Sequence, residues 1–109
     1  AAQDYNIIVN VPIPSDYTGS FGNVTFWHSD PDGATTNAEI NLTIYDQSGT
    51  TCSNSTYNGA SAGVWEEESV PVSSCSYSAD DIMTFDFNLK TTSGAGSVRL
   101  GEFKFEYTN

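Results

Sequence analysis

Apolar residues that recur at every second position are the feature that most constrains this fold. Near the start of the chain they are Ile7, Val9, Val11 and Ile13. Successive side chains of a strand point to opposite faces, so this spacing predicts a strand with one buried face. Similar patterns or strand-forming compositions predict further strands at 23–28, 37–46, 64–72, 81–90, 97–100 and 101–108.

Turn-forming residues separate these stretches, and no stretch keeps a helical period. Seven or eight short strands in 109 residues predict a single all-β domain over 1–109, an antiparallel, jelly-roll-like β-sandwich. A long loop is expected at 47–75, where Pro71 would limit any strand to an edge or a bend. An immunoglobulin-like sandwich is the alternative, but it would bury a disulfide between its sheets, and the cysteines here lie outside the apolar stripes.

The two cysteines, Cys52 and Cys75, flank a segment that is rich in Gly, Ser and Asn. Zinc sites use closely spaced Cys and His ligands, whereas this chain has one His and no close Cys pair. A disulfide is therefore predicted, with two buried free thiols as the alternative. A disulfide implies an oxidising location, which is extracellular, at the cell surface or on a virion.

The charge balance excludes two classes of partner. Fourteen acids face three bases, for a net charge of -11, so the chain lacks the cations that would neutralise nucleic-acid phosphates or bind an anionic membrane surface. Membrane insertion is not expected either, because no apolar run approaches the roughly 20 residues that a spanning helix needs.

Acidic residues in turns make calcium the candidate cofactor. Asp30-Pro31-Asp32-Gly33 fits a type I turn and also resembles the start of a calcium loop. The later ligands of a complete calcium loop do not follow at the right spacing, so a plain turn is the alternative. A calcium site, where one forms, is predicted to use Asp30, Asp32, Asp80 and Asp81.

Catalysis is not predicted. His28 is the only histidine, and it shares the apolar face of its strand with Val24 and Phe26, which favours a hydrogen-bonded core position. No nucleophile elbow, phosphate-binding loop or dinucleotide fingerprint is present. Paired carboxylates of the glycosidase type would need a deeper cleft than a domain of this size is expected to build.

Aromatic residues outside the main apolar stripes are candidates for binding sugars. Trp27, Trp65 and Tyr57 could stack on sugar rings, with nearby acids and amides binding the hydroxyls. Packing within the domain or a subunit interface is the alternative, because interfaces also favour Trp and Tyr. Asn54 begins an Asn-Ser-Thr sequon in the predicted loop and is the best candidate for a glycan.

Four segments together carry a resemblance to a known group: the turn Pro14–Tyr17, the pair Phe26-Trp27, the strand Ala38–Ile44 and the end Leu100–Thr108. They resemble a recurrent β-sandwich (jelly-roll) domain of phage and environmental-virus structural proteins, of the tail-fibre or capsid-decoration type. The resemblance covers about two-thirds of the chain and omits 47–75 with its cysteines. It implies a non-enzymatic subunit that builds or decorates a virion, a fibre or an extracellular filament.

Two functions follow as predictions. The first is a structural subunit that assembles with its own copies, either by donating the strand with Ile7, Val9, Val11 and Ile13 to a neighbour's sheet edge or, if that strand stays in its own sheet, through side-chain patches. The second is an extracellular carbohydrate-binding module or adhesin with a dependence on calcium, whose partners would be surface glycans.

Overall fold

A computed structural model of the chain describes residues 3–18, 20–31, 37–59, 61–72, 75–92 and 96–108. Within these residues, no helix combines the length and apolar character that crossing a membrane requires. Seven strands form the fold: β1 (Asp4–Pro12), β2 (Ser20–Ser29), β3 (Ala38–Tyr45), β4 (Thr51–Tyr57), β5 (Trp65–Val70), β6 (Ile82–Thr91) and β7 (Arg99–Thr108).

The strands make two antiparallel sheets, which confirms the predicted sandwich. The larger sheet has the order β1-β6-β3-β4 and the smaller one the order β5-β2-β7. The pairs β3–β4, β2–β5 and β1–β6 are nested one inside the next, as in a hairpin wrapped around a barrel. This arrangement is typical of jelly rolls. The last strand, β7, then pairs with the free side of β2.

Phenylalanine rings from both sheets interlock in the core. Phe85 and Phe87 of β6 are fully buried, and their ring centroids lie 5.2 and 5.5 Å from that of Phe103 on β7. Phe26 of β2 packs edge-on against Phe87 at 5.5 Å. Such tilted contacts suit the ring quadrupoles and add to the gain from burying apolar area. The period-two stripes of the sequence therefore do form the core.

The opening strand lies in its own sheet. β1 pairs with β6 over its whole length, with Ile7 opposite Phe87 and Val9 opposite Phe85. Val9 and Val11 pack against the core, and Ile13, just beyond β1, is buried. These residues therefore complete their own sheet rather than extend away from it, so donation of the strand would first require breaking the β1–β6 ladder.

The segment 47–75, expected to be a long loop, contains two strands. β5 lies within the strand predicted at 64–72 and is an edge strand, as Pro71 indicated, whereas β4 was not predicted, and there the expectation of a loop is corrected. β4 consists mainly of Ser, Thr and Asn, and β5 contains three consecutive glutamates. Neither strand has an apolar stripe, so hydrophobic periodicity alone does not reveal it. Pro71 directly follows β5, in agreement with the bend predicted there.

The predicted disulfide is present between Cys52 and Cys75, whose Cα atoms lie 4.9 Å apart. It ties β4 to the segment after β5, and so links the two sheets through their connecting chain. Both cysteines pack against the core. The bond closes a loop with a sequence separation of 23 residues, which restricts the unfolded chain and stabilises the native one by about 3 kcal/mol.

We expect the double variant Cys52→Ser/Cys75→Ser to lose about 3 kcal/mol of unfolding free energy, because loop closure no longer restricts its unfolded state. Urea unfolding of the variant and of the wild-type protein checks this. Wild-type protein unfolded in the presence of a reductant is the control, and it should lose a similar amount. A loss below about 0.5 kcal/mol in both would contradict the prediction, since that is the range of ordinary surface substitutions.

Candidate functional site

Two exposed tryptophans lie side by side on the outer face of the smaller sheet. Trp27 of β2 is 39% exposed and Trp65 of β5 is 46% exposed. The register sets Trp65 opposite Ser29, which lies two residues beyond Trp27 on the same face. Ser29 is only 6% exposed, so the neighbouring aromatic side chains cover the sheet at this position.

Gly101 on β7, the other neighbour of β2, leaves the space that the Trp65 ring occupies. A Cβ atom built on Gly101 of β7 would lie 3.1 Å from Cζ3 of Trp65 and 3.3 Å from Cβ of Trp27. Since β2 separates β5 from β7, the indole of Trp65 must lie across β2 along the sheet surface. We call the surface formed by Trp27, Trp65 and Gly101 the tryptophan face.

A β-bulge places Gly101 on this surface. Between Phe26 and His28, β2 has one residue, whereas β7 has two between their partners Phe103 and Leu100. The extra residue turns Gly101 toward the outer face beside Trp27, while Phe103 and Leu100 both pack against the core.

Charged side chains border the tryptophan face. Glu67 stands directly opposite Trp27 on β5. On the other side, β7 contributes Arg99, Glu102 and Lys104, which are all exposed. Two of the three basic residues of this acidic chain thus lie beside the tryptophans. In the described part of the chain, neither of these two cations forms an ion pair.

This arrangement suits a ring-shaped ligand that has an apolar face and a polar edge. The negative faces of the indoles attract the C–H groups of a sugar ring. The carboxylates, the guanidinium and the ammonium group around them can exchange hydrogen bonds with hydroxyl groups. Two stacking surfaces bordered by hydrogen-bonding groups form an arrangement that supports binding of such a ligand.

Tyr57, predicted to join the two tryptophans, does not lie with them, and this prediction is corrected. It belongs to β4 in the other sheet and is half-buried. Its ring packs edge-on against Phe26 at 5.5 Å and lies 6.4 Å from the ring of His28. It therefore contributes to the interior between the sheets.

His28 is buried with two acidic partners, which confirms its predicted core position. Its Nδ1 lies 2.8 Å from Oδ1 of Asp30, and its Nε2 lies 2.8 Å from Oε2 of Glu68. Burial lowers the pKa of His28, but hydrogen bonds and charge attraction from Asp30 and Glu68 outweigh it and raise the pKa above 6.5. When it is protonated, the imidazole pairs with the buried carboxylate of Asp30 and with the partly exposed carboxylate of Glu68.

The four acids predicted to bind calcium do not form one site. Asp30 is fully buried beside His28, near the residues that precede β7. Asp80 and Asp81 hydrogen-bond to Ile13 beyond the far end of β1, so a strand of about 30 Å separates them from Asp30. Asp32 lies outside the described residues. Among the residues that the structure describes, no three His, Cys, Asp or Glu side chains could hold a metal ion.

A shallow pocket of 250 Å³ lies at that far end, between Tyr17 and Tyr77. The hydroxyl of Tyr77 donates a 2.6 Å hydrogen bond to the carbonyl of Tyr45. Burial, together with the charges of Asp46 and Asp81, raises the pKa of Tyr77 to about 12. This tyrosine therefore serves the packing between β3 and the segment before β6, and it is not a site of proton transfer at neutral pH.

Asn54 lies on β4 rather than in a loop. Its side chain is exposed, donates to Oγ1 of Thr43 at 2.9 Å and accepts from Asn41 at 2.9 Å. A glycan on Nδ2 would compete with the bond to Thr43, so glycosylation of Asn54 stays a prediction.

Two features of the site were not anticipated from the sequence. Gly101 interrupts a strand pattern, which is a signal for a bulge or a close approach, but nothing in the sequence indicates that Trp65 lies over it. The pairing of His28 with Glu68 joins residues 40 positions apart, and only the β2–β5 register brings them together.

Comparison with known proteins gives a structural likeness alone. No family model matches the chain, and no curated protein matches it in sequence. A solved structure, TmCBM61 in complex with β-1,4-galactotriose, superposes with a TM-score of 0.64 at 14% sequence identity. The match covers 98% of this chain but 65% of that one. What the two chains share is the β-sandwich fold, and no comparison supports a tail-fibre or capsid type.

We expect the stabilising effect of His28 to depend on pH. Its folded-state pKa is raised above 6.5, so the folded state binds the proton more tightly than the unfolded chain does. The contribution is full below about pH 6.5 and is lost as the pH rises through the folded-state pKa. Urea unfolding of wild type and of His28→Gln across this range should show their difference shrinking toward alkaline pH.

Glu68→Gln is the matched variant for this test, because it keeps the side-chain size and removes one of the two charges that face His28. Its pH dependence should lie between those of wild type and His28→Gln. Parallel stability profiles for all three proteins would contradict the assignment of the pH dependence to His28.

Proposed function

We propose that this chain is a non-catalytic carbohydrate-binding module of an oxidising, extracellular location and that the tryptophan face binds the sugar. The observation that carries the proposal is the pair Trp27 and Trp65, both exposed, with one indole lying across the sheet over Gly101. Contiguous exposed apolar surface with a polar border is typical of binding sites.

Three further observations support it. The fold is similar to that of a carbohydrate-binding module, although folds of this kind host many functions. The disulfide between Cys52 and Cys75 is compatible with secretion. The tryptophan face is bordered by hydrogen-bond acceptors, Glu67 and Glu102, and by a donor, Arg99. An apolar centre with a few polar groups around it is typical of small-ligand sites.

The shape of the surface indicates the ligand class. The tryptophan face is an open sheet surface, and the pocket between Tyr17 and Tyr77 lies away from it, at the far end of the sandwich. An open surface admits a chain that continues in both directions, so the expected ligand is an internal stretch of a polysaccharide. The charges of Glu67 and Glu102 offset those of Arg99 and Lys104, which favours a neutral sugar. A β-1,4-linked galactan is the first probe, because the similar structure was solved with a galactotriose.

The first prediction is a loss of sugar binding in either Trp27→Ala or Trp65→Ala. Each variant removes one stacking surface, and we expect affinity for a soluble oligosaccharide to fall about tenfold or more. Calorimetric titration measures this. Since Trp27 and Trp65 are the only tryptophans, intrinsic fluorescence of the wild type reports on the same surface without a label.

Tyr5→Ala is the matched control, because Tyr5 is an exposed aromatic residue, 63% accessible, on the other sheet. It should bind the oligosaccharide as the wild type does. If a panel of neutral and acidic polysaccharides leaves the tryptophan fluorescence and the calorimetric trace unchanged, the proposed function is wrong. Equal losses in Tyr5→Ala and the tryptophan variants would move the site away from the tryptophan face.

The second prediction concerns Gly101. A Cβ at this position would already press on Trp65 at 3.1 Å, and a leucine would occupy the space of the ring. We expect affinity to fall in the order glycine, Gly101→Ala, Gly101→Leu, with an altered fluorescence emission maximum. Because the position is on the outer face, the melting temperature should change little. Wild-type affinity in Gly101→Leu would show that the Trp65 ring position does not matter for binding.

A further inference from the structure

The opening strand leaves an apolar edge uncovered. β1 pairs only with β6, so it is an edge strand of the larger sheet. Tyr5 is 63%, Ile7 40% and Ile8 59% exposed. Long, flat, apolar edges are usually shielded by charges or bulges, yet β1 carries one charge, Asp4, and keeps its pairing with β6 without a bulge.

The unequal sheets explain part of this exposure. β6 packs over β7, which is itself the last strand of the smaller sheet. β1 therefore lies beyond the edge of the opposite sheet, and its inward residues Tyr5 and Ile7 have no strand beneath them. Ile8 is different, because it lies on the outer face, opposite Asp86 and beside Asn6 and Asn10. Packing within the chain gives no reason for an isoleucine there.

On its open side, the main chain of β1 presents N–H and C=O groups at alternate residues. The carbonyl of Gln3 and both main-chain groups of Ile13 bond toward β6 and its preceding turn. Because these directions alternate along an antiparallel strand, the odd-numbered residues between them also face β6. The N–H and C=O groups of Asn6, Ile8 and Asn10 therefore point to the open edge. Pro12 shares this parity, and an edge is where a missing N–H is tolerated.

The sequence of this edge is symmetric about Ile8. Read outward from Ile8, the residues Ile7-Asn6-Tyr5 on one side are matched by Val9-Asn10-Val11 on the other. In a pairing centred on Ile8, polar residues therefore lie opposite polar residues and apolar residues opposite apolar ones. A second copy turned by a two-fold rotation about Ile8 would therefore present the complementary pattern. On the outer face Ile8 stands between Asn6 and Asn10, so a pairing of two copies centred on Ile8 sets this isoleucine against its own copy and each asparagine against an asparagine.

We propose that β1 pairs with β1 of a second copy of this chain, antiparallel and centred on Ile8. The pairing joins the two larger sheets into one continuous eight-stranded sheet through about six main-chain hydrogen bonds, two each for Ile8 with its copy and for the two Asn6–Asn10 pairs. Ile8 then packs on its own copy. Ile7 and Tyr5 meet Val9 and Val11 of the second copy across the strand pair. The interface is isologous and closed.

The dimer would also affect sugar binding, and this one step of the inference rests on the proposed function. Paired residues of antiparallel strands point to the same side of the sheet, so the two-fold axis is perpendicular to the joined sheet. Both tryptophan faces then point in the same direction. Two sites on one side can bind one polysaccharide surface together, which raises the overall affinity without new contacts in either site.

The net charge of each copy opposes this pairing and makes its strength depend on ionic strength. Each copy carries -11, and the repulsion between copies is screened by salt. The dimer should therefore strengthen as ionic strength rises, unlike an interface held by ion pairs.

Sedimentation equilibrium from micromolar to millimolar concentration, at low and high salt and without sugar, tests the dimer. We expect a monomer–dimer equilibrium that Ile8→Lys weakens by about tenfold or more, because two like charges then meet across the strand pair. Val64→Lys is the matched control, since Val64 is 50% exposed and lies outside β1; it should dimerise as the wild type does. A monomer under every condition would overturn the proposal.

Cross-linking tests the register independently of affinity. Opposed residues in a hydrogen-bonded pair have Cα atoms about 5.5 Å apart, within the range of a disulfide. Ile8→Cys should form a disulfide-linked dimer under mild oxidation much faster than Val64→Cys, and Ile8 is exposed, so the fold should persist. Equal rates would overturn the pairing about Ile8. Because neither test contains sugar, their failure leaves the proposed function untouched, and loss of sugar binding leaves the dimer untouched.

Discussion

The interlocking of phenylalanine rings between the two sheets is the interaction on which the rest of the structure depends. Phe26 and Phe103 point inward from β2 and β7 against Phe87 of β6. Side chains alternate along a strand, so burying Phe26 requires Trp27 to point outward. A slip of one residue would bury Trp27 and expose Phe26, and the core excludes such a slip. The tryptophan face is thus a consequence of the core register, with the bulge at Gly101 as its one local adjustment.

The sequence predicts those parts of the fold in which one face is apolar. β1, β3 and β6 have such stripes, and each was predicted within a few residues of its bounds. β4 has no apolar face, so it was missed within the expected loop 47–75, and β5 was predicted at 64–72 from its composition rather than from an apolar stripe. Their stability comes from pairing with β3 and β2, which is tertiary information. In this segment the predicted disulfide is a better sign of ordered structure than hydrophobicity is. Cys52 and Cys75 both pack against the core, and the bond between them fixes the chain at both positions.

The candidate site shows the same limit in another form. Trp27 and Trp65 could be selected from sequence because they interrupt the apolar stripes, but Tyr57 met the same criterion and is part of the interior. Which of the three share a surface is decided by sheet membership. Grouping the acids Asp30, Asp80 and Asp81 by residue type failed for a related reason, since the end of β2 and the turn before β6 lie at opposite ends of the sandwich. The presence of two acids in turns does not establish that the turns lie close together in space.

The two predicted functions depend on different surfaces of one molecule. A resemblance carried by strands and turns concerns the scaffold, and scaffolds of this kind serve many functions. The tryptophan face belongs to the smaller sheet, whereas the edge of β1 belongs to the larger one, so the proposed sugar binding and the proposed pairing of copies would use different residues. Since the edge is used by main-chain groups and the face by side chains, a substitution at Ile8 should leave the affinity of a single site for a short oligosaccharide unchanged, and a substitution at Trp27 should leave the pairing of copies unchanged. Self-assembly and sugar binding therefore need not be alternatives: an antiparallel pair of β1 strands would hold two sugar-binding faces on one side of the same sheet.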